Sequence, residues 1–427
     1  MAAFDYAVKY AVTATCISPL RTGGTDGDVE LLLLGSDGLP IVQGSSIAGV
    51  LRSWVQMNQS EEAAEKLFGA SRSGKLGDRT SLVTVSDGAF RSDVSTQLRP
   101  RLRMNRETGT GAETQMFSVR SVESGSRFDF ELLLQTKGRD AEAEELLEKA
   151  LSALHSGQIA LGGQSANGFG LVELSVKRRS FDLKQKADRQ AWLEEAEPTE
   201  ALPLKKLTWD TITFTVTGTT SGVLIRSGER ESIGEKHSVA TAMRDAQGSV
   251  LPGSALKGLI RSRAEQIGAY LGCSQAVEEL FGSEEQKTAG RLRVREGRIK
   301  DEKKRVITRT RISRFTGGVM EKKLFSEEPV SGEVCIEAAV CSINVNRPLS
   351  HQSLGVLFYA MRDLAMGLYS IGSESSIGRG CLTEGVLRVQ NGEQSCTFRF
   401  EEGKPLWEGD AEFVNVWLKA LEGGGEA

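Results

Sequence analysis

The phrase VQGSSIAGVLRSW at residues 42–54 comes back as LPGSALKGLIRSR at 251–263, nearly half a chain later. One short match is weak, but its neighbours recur in the same order. EKLFGASRSG (65–74) is echoed by EELFGSEEQK (278–287), and RLRMNRETG (101–109) by RTRISRFTG (309–317), with one R-x-R-x-x-R-x-T-G spacing. MF (116–117) returns as LF (324–325), SGSRFDFELLL as SGEVCIEAAV, and LGGQSANGFGLVEL (161–174) as IGSESSIGRGCLTE (371–384). Ordered recurrence along two halves means duplication, so the chain must fold as two like domains. The 427 residues leave ample length for both. We place one at 1–180 and the other at 207–427. The charged, proline-containing segment 181–206 has no repeat partner and reads as a linker with one helix.

Each copy opens on a period-2 strand, FDYAVKYAVTATC in the first and TWDTITFTVTGTT in the second. The run VELLLLG reads as a second apolar strand. Gly44 then makes a turn, Ser45 or Ser46 serves as N-cap, and Ile47, Val50, Leu51, Trp54 and Val55 form one helical face. Leu256, Leu259, Ile260 and Ile267 repeat that face. Strands follow over SLVTVSDGAF and RFDFELLL, then a second helix (AEAEELLEKALSALHSG; HQSLGVLFYAMRDLAMGL), a glycine-rich loop and a last strand. That order predicts an α+β class, two tandem ferredoxin-like domains of the RNA-recognition type.

Composition narrows the chemistry. Six scattered cysteines without a CxxC pair and only three histidines argue against zinc and against disulfides. No stretch approaches the roughly 20 apolar residues of a membrane span, and the N-terminus lacks the pattern of a signal peptide, so a cytoplasmic protein is expected. A net charge of −4 excludes bulk attraction to nucleic acid while leaving room for a local basic groove.

Four recurring pieces fit such a groove. Gly44, Ser45 and Ser46, with Gly253 and Ser254 in the second copy, open helices whose free N–H groups suit a phosphate, and Arg52 and Arg261 stand one register later. An ordinary capped helix would look the same. Gly162, Gly168 and Gly170, matched by Gly372, Gly378 and Gly380, either admit a nucleic-acid backbone or make a tight turn; no G-K-S/T follows, so they are not Walker loops. Arg101, Arg103 and Arg106, with Arg309, Arg311 and Arg314, place three arginines on each hairpin, a pattern of phosphate contact. Met116 and Phe117, or Leu324 and Phe325, either wedge between bases or sit in the core.

In conjunction these pieces resemble the RAMP superfamily, and most closely the backbone subunits of type III CRISPR effector complexes. The two-copy fusion is similar to the double backbone subunit of the III-D branch. The resemblance implies subunits that stack along a CRISPR guide RNA beside other RAMP backbone subunits and a large polymerase-like subunit. It implies a thumb at 104–117 and 312–325 that splays the guide–target duplex, base pairing supplying the sequence specificity. It also implies cleavage of target RNA with Mg²⁺ or another divalent cation, through an aspartate on the loop to the second strand. That residue is Asp28, or Asp26 one step away; a loop aspartate that caps a turn is the alternative. His237 or Ser238 stands there in the second copy, which is therefore expected to be silent, although it carries the family's usual lysine at Lys257 where the first has Ala48. A scaffold without catalysis, or a RAMP endoribonuclease that processes CRISPR precursor RNA, are the competing expectations; paired hairpins argue against the latter.

Overall fold

Val12 pairs with Val176 on one side and Phe130 on the other, and the strand that carries it is the axis of the first sheet. A computed structural model of the chain describes residues 4–23, 25–26, 29–70, 80–105, 111–207, 211–233, 237–341 and 349–422. The chain divides into two compact units. The first is Met1–Leu102, Glu113–Ser165 and Phe169–Trp209; the second is Arg103–Ala112, Ala166–Gly168 and Asp210–Ala427.

In the first unit, strand Tyr6–Cys16 lies between Val172–Asp182 and Arg127–Thr136, with Gly88–Phe90 beyond the latter. Counting the four strands along the chain, their spatial order is fourth, first, third, second, which is the ferredoxin-like arrangement. Alternation explains the layering: Val8, Tyr10, Val12 and Ala14 are buried, while Lys9, Ala11, Thr13 and Thr15 between them are partly exposed. Helices Gly44–Asn58 and Ala141–His155 cover the buried face through Ile47, Leu51, Trp54, Leu147, Leu151 and Leu154. Burial of that many large apolar side chains is the main force holding the unit together.

The second unit repeats the plan. Strand Thr211–Val223 lies between Leu382–Asn391 and Val330–Cys341, with Gly297–Lys304 next, and helices Gly253–Tyr270 and His351–Ala365 pack on one face. It adds strands Gln394–Glu401 and Lys404–Gly409 and a closing helix Glu412–Glu422. Segment 181–206 folds against the first unit: helix Lys186–Leu193 sets Trp192 edge-on to Phe181 and Phe4, and Glu200–Leu202 joins the sheet beside Val172–Asp182.

Between the second and third strands of each plan a long hairpin is inserted. It is Thr96–Met104 with Gly111–Val122 in the first copy, and Ile307–Ile312 with Val319–Glu328 in the second. Two expectations change. VELLLLG does not run as a full strand: only Val29–Glu30 is extended into a strand, and Leu34 makes a lone bridge to Pro40. Helix Gly44–Asn58 is capped by Gln43 with no side-chain hydrogen bond, so neither Ser45 nor Ser46 is the N-cap. Among the described residues no helix is long and apolar enough to cross a membrane.

Candidate nucleic-acid interface

The helix starts explain their own glycine. A Cβ on Gly44 would fall 2.3 Å from the Val85 carbonyl oxygen, and one on Gly253 would fall 2.5 Å from that of Val294. Helix and neighbouring strand approach so closely that only glycine fits. The Gly44 N–H donates to Asp87 Oδ1 at 2.7 Å, while Ser45 and Ser46 are exposed in the first turn and Ser254 is half-buried. Arg52 and Arg261 point elsewhere. Arg52 Nη1 donates to the Gly69 carbonyl at 2.7 Å; Arg261 Nε donates to Glu265 at 2.9 Å and its guanidinium lies 5.9 Å from the Phe281 ring centre. Both arginines tie their helix to the L-F-G motif that follows. Lys257, the fifth residue of its helix, has its pKa pushed down to about 8 by burial and by the charges of Arg261 and Arg293. A second anionic partner for that cluster is what electrostatics would favour.

The glycine-rich loops are tight turns between the second helix and the last strand. Gly162, Gly168 and Gly170 have positive φ, as do Gly372, Gly378 and Gly380. A Cβ on Gly170 or Gly380 would come within 2.0 Å of the Leu161 or Ile371 carbonyl oxygen. Gln164 and Glu374 occupy the same left-handed conformation at φ 66° without being glycine.

At the base of the first hairpin, Arg99 and Glu123 form a buried ion pair, with Arg99 Nε donating to Glu123 Oε1 at 3.2 Å and Ser121 donating to the same oxygen at 2.8 Å. Arg99 and Arg101 both lie over the Phe169 ring, at 5.7 and 5.4 Å. Leu98, Leu102 and Met104, on the opposite side of that strand, are exposed. The Arg103 and Met116 side chains, and Arg106 altogether, lie outside the described residues; Phe117 is half-buried.

The second hairpin replaces the ring by charge. Arg309 donates to Glu327 and, at 2.6 Å, to both oxygens of Glu374, with Phe325 5.3 Å beneath its guanidinium. Arg379 donates to Glu327 at 3.1 Å and pairs with Glu374; Arg226 donates to Glu327 at 2.7 Å. Arg311 and Arg314 are exposed, as are Ile312, Val319, Leu324 and Phe325, and Phe315 at the tip is wholly so. The tip is a hydrogen-bonded turn, Ser313 N–H to the Gly318 carbonyl and Gly317 N–H to the Ser313 carbonyl, both at 2.9 Å. Leu324 and Phe325 thus lie outside the core.

Sequence reasoning missed Arg99, Glu123, Phe169, Arg226, Glu327, Glu374, Arg379 and Phe315. Arg99 continues the alternation of 101 and 103, and the E…R of SESSIGRG was a readable charge signal. Glu123 and Glu327 carried none, because only the fold brings them to arginines.

The register of the small strands locates the aspartate loop. Asp26 pairs with Val29, and Val29–Glu30 runs parallel to the hairpin strand, Val29 opposite Ser118. In the second copy Val239 stands opposite Ser326 in the same parallel sense, within His237–Ala242. The residue before the paired valine is Asp28 in one copy and Ser238 in the other. Asp28 and the Asp26 and His237 side chains lie outside the described residues. Among the described residues no three His, Cys, Asp or Glu side chains converge as metal ligands.

The family model of the RAMP superfamily matches residues 13–173 and again 211–383. The chain is 26% identical over 131 residues to the CRISPR system Cmr endoribonuclease Cmr4 of Pyrococcus furiosus, a match that covers 30% of this chain and 41% of that relative.

Proposed function

This chain belongs to the RAMP superfamily, and from that premise we propose that it is a two-copy backbone subunit of a type III CRISPR effector complex. It holds guide RNA along both units, pairs with neighbouring RAMP subunits and a large polymerase-like subunit in the cytoplasm, and cleaves bound target RNA beside the first hairpin. The observation that carries this reading is the shared register of the aspartate loop and the hairpin: Val29 against Ser118, Val239 against Ser326. The residue that precedes the paired valine in the sequence is Asp28 in one copy and Ser238 in the other, which supports giving the carboxylate to the first hairpin and a hydroxyl to the second.

The division of labour follows from chemistry. Exposed Arg311, Arg314, Ser45 and Ser46 meet phosphate oxygens, which carry no sequence information, so base pairing selects the target. The exposed apolar side chains of each hairpin take the place of a displaced base. Splaying frees the neighbouring ribose, whose 2′-oxygen attacks the adjacent phosphorus; the bond from phosphorus to the 5′-oxygen breaks, and the 2′-hydroxyl proton leaves as the 5′-oxygen gains one. Asp28 orients that hydroxyl. Among the described residues no three His, Cys, Asp or Glu side chains converge as metal ligands; a divalent cation required for cleavage would be held at Asp28 and would offset the charge that builds on the phosphate. Reconstitution with guide RNA tests the reading: the chain should protect guide and cut complementary RNA but not unpaired RNA. Cleavage of free CRISPR precursor RNA by the chain alone would instead favour the processing enzyme.

A further inference from the structure

Glu374 stands in the glycine-rich loop and pairs with Arg309 of the hairpin that the functional reading gives to RNA, yet a carboxylate there would repel phosphate. The first copy has Gln164 at the matching place, with the same φ of 66°. The difference lies in what surrounds it. Arg309 and Arg379 both converge on Glu374, and both also reach Glu327, which Arg226 holds from a third side. Glu327 is 2% exposed and cannot leave; the Glu374 side chain, at 17%, is the outer member of the pair. Among the described residues three guanidinium groups stand against two carboxylates, which leaves a positive charge, and Arg309 Nε is buried without an acceptor there. The cluster is short of an anion.

We infer that Glu374 is an internal stand-in for a phosphate: it occupies Arg309 and Arg379 in the free protein and yields them to the RNA backbone on binding. A phosphodiester offers the same charge and two oxygens to the same bidentate geometry, so the exchange conserves the cluster's balance. Glu374 then turns to solvent, released from a left-handed backbone position that strains any residue but glycine. The second unit is thereby self-closed until RNA arrives, whereas Gln164 imposes no such competition on the first. This inference rests on the RNA-binding reading.

The test uses the full chain and a labelled single-stranded RNA, titrated over a series of salt concentrations. Glu374→Gln installs the residue that the first copy already holds in this conformation, and Glu374→Gly suits the left-handed backbone best, so folding is protected twice. Both should bind RNA about threefold to tenfold more tightly throughout the salt series with the wild-type log–log slope retained, because the bound state neutralises the same phosphates once Glu374 no longer has to be displaced. Unchanged or weaker binding at the wild-type slope would make Glu374 a buttress and overturn the inference alone. Failure of both variants to fold overturns it as well. If neither wild type nor variants bind RNA at any salt, the RNA-binding reading itself falls.

Discussion

The Arg101 guanidinium lies 5.4 Å from the centre of the Phe169 ring, so the first hairpin is joined to its glycine-rich loop through the face of an aromatic. In the duplicate, Arg309 joins the matching loop through Glu374 instead. One ancestral joint has been rebuilt in two chemistries.

Replacing Arg101, Arg103 and Arg106 together by alanine should weaken RNA binding alike for all sequences. The salt slope should become shallower by about 2, three contacts at roughly 0.7 each on a single strand. Titrations with two unrelated RNAs decide this; a sequence-dependent loss would mean that these arginines read bases.

Arg99→Ala leaves Glu123 as an unpaired carboxylate in the core and should cost about 3–5 kcal/mol in chemical denaturation. The double change Arg99→Met with Glu123→Leu should recover most of it. Equal damage from single and double variants would show that packing, not charge, is what the pair supplies.

Gly44→Ala forces a methyl group against the Val85 carbonyl and should destabilise the chain by about 1–3 kcal/mol. Ser46→Ala, on the exposed first turn, should leave the melting temperature alone and weaken RNA binding. If Ser46→Ala also lowered the melting temperature and left RNA binding unchanged, the helix start would be structural throughout.

Burial, with Arg261 and Arg293 nearby, pushes the Lys257 pKa down to about 8 from its ordinary 10.5. Between those values the unfolded chain binds the proton that the folded chain has lost, so this residue's contribution to stability rises with pH across that window. Its contribution to RNA binding runs the other way, fading as pH climbs through 8. The difference between wild type and Lys257→Met isolates both trends, and a flat difference in affinity would remove Lys257 from the RNA site.

Asp28→Ala should abolish one cleavage position in a complementary target while leaving guide and target affinity within about twofold, since binding is spread over many phosphate contacts. Asp26→Ala should do less, and Ser238→Ala or His237→Ala should leave the ladder unchanged. Chelation of divalent cations should silence the same position. A ladder that survives both aspartate variants reduces the chain to a scaffold.

Duplication, the ferredoxin-like order and the hairpins were legible in the sequence, because each depends on local signals: period-2 strands such as Tyr6–Cys16, an apolar helical stripe through Ile47, Leu51 and Trp54, and arginines at alternate positions. The same locality limited the site. Arg52 is about two turns past a helix start suited to phosphate, but what it binds is the Gly69 carbonyl, and that depends on where the next helix ends. The hairpin arginines look equivalent in the two copies; whether a guanidinium meets Phe169 or Glu374 is settled by a loop some seventy residues away. Sequence by itself determined which residues carry charge and how often they face one way. Tertiary structure alone decided which of those charges are already answered within the fold, because burial and pairing depend on distances between segments that the chain's order does not contain.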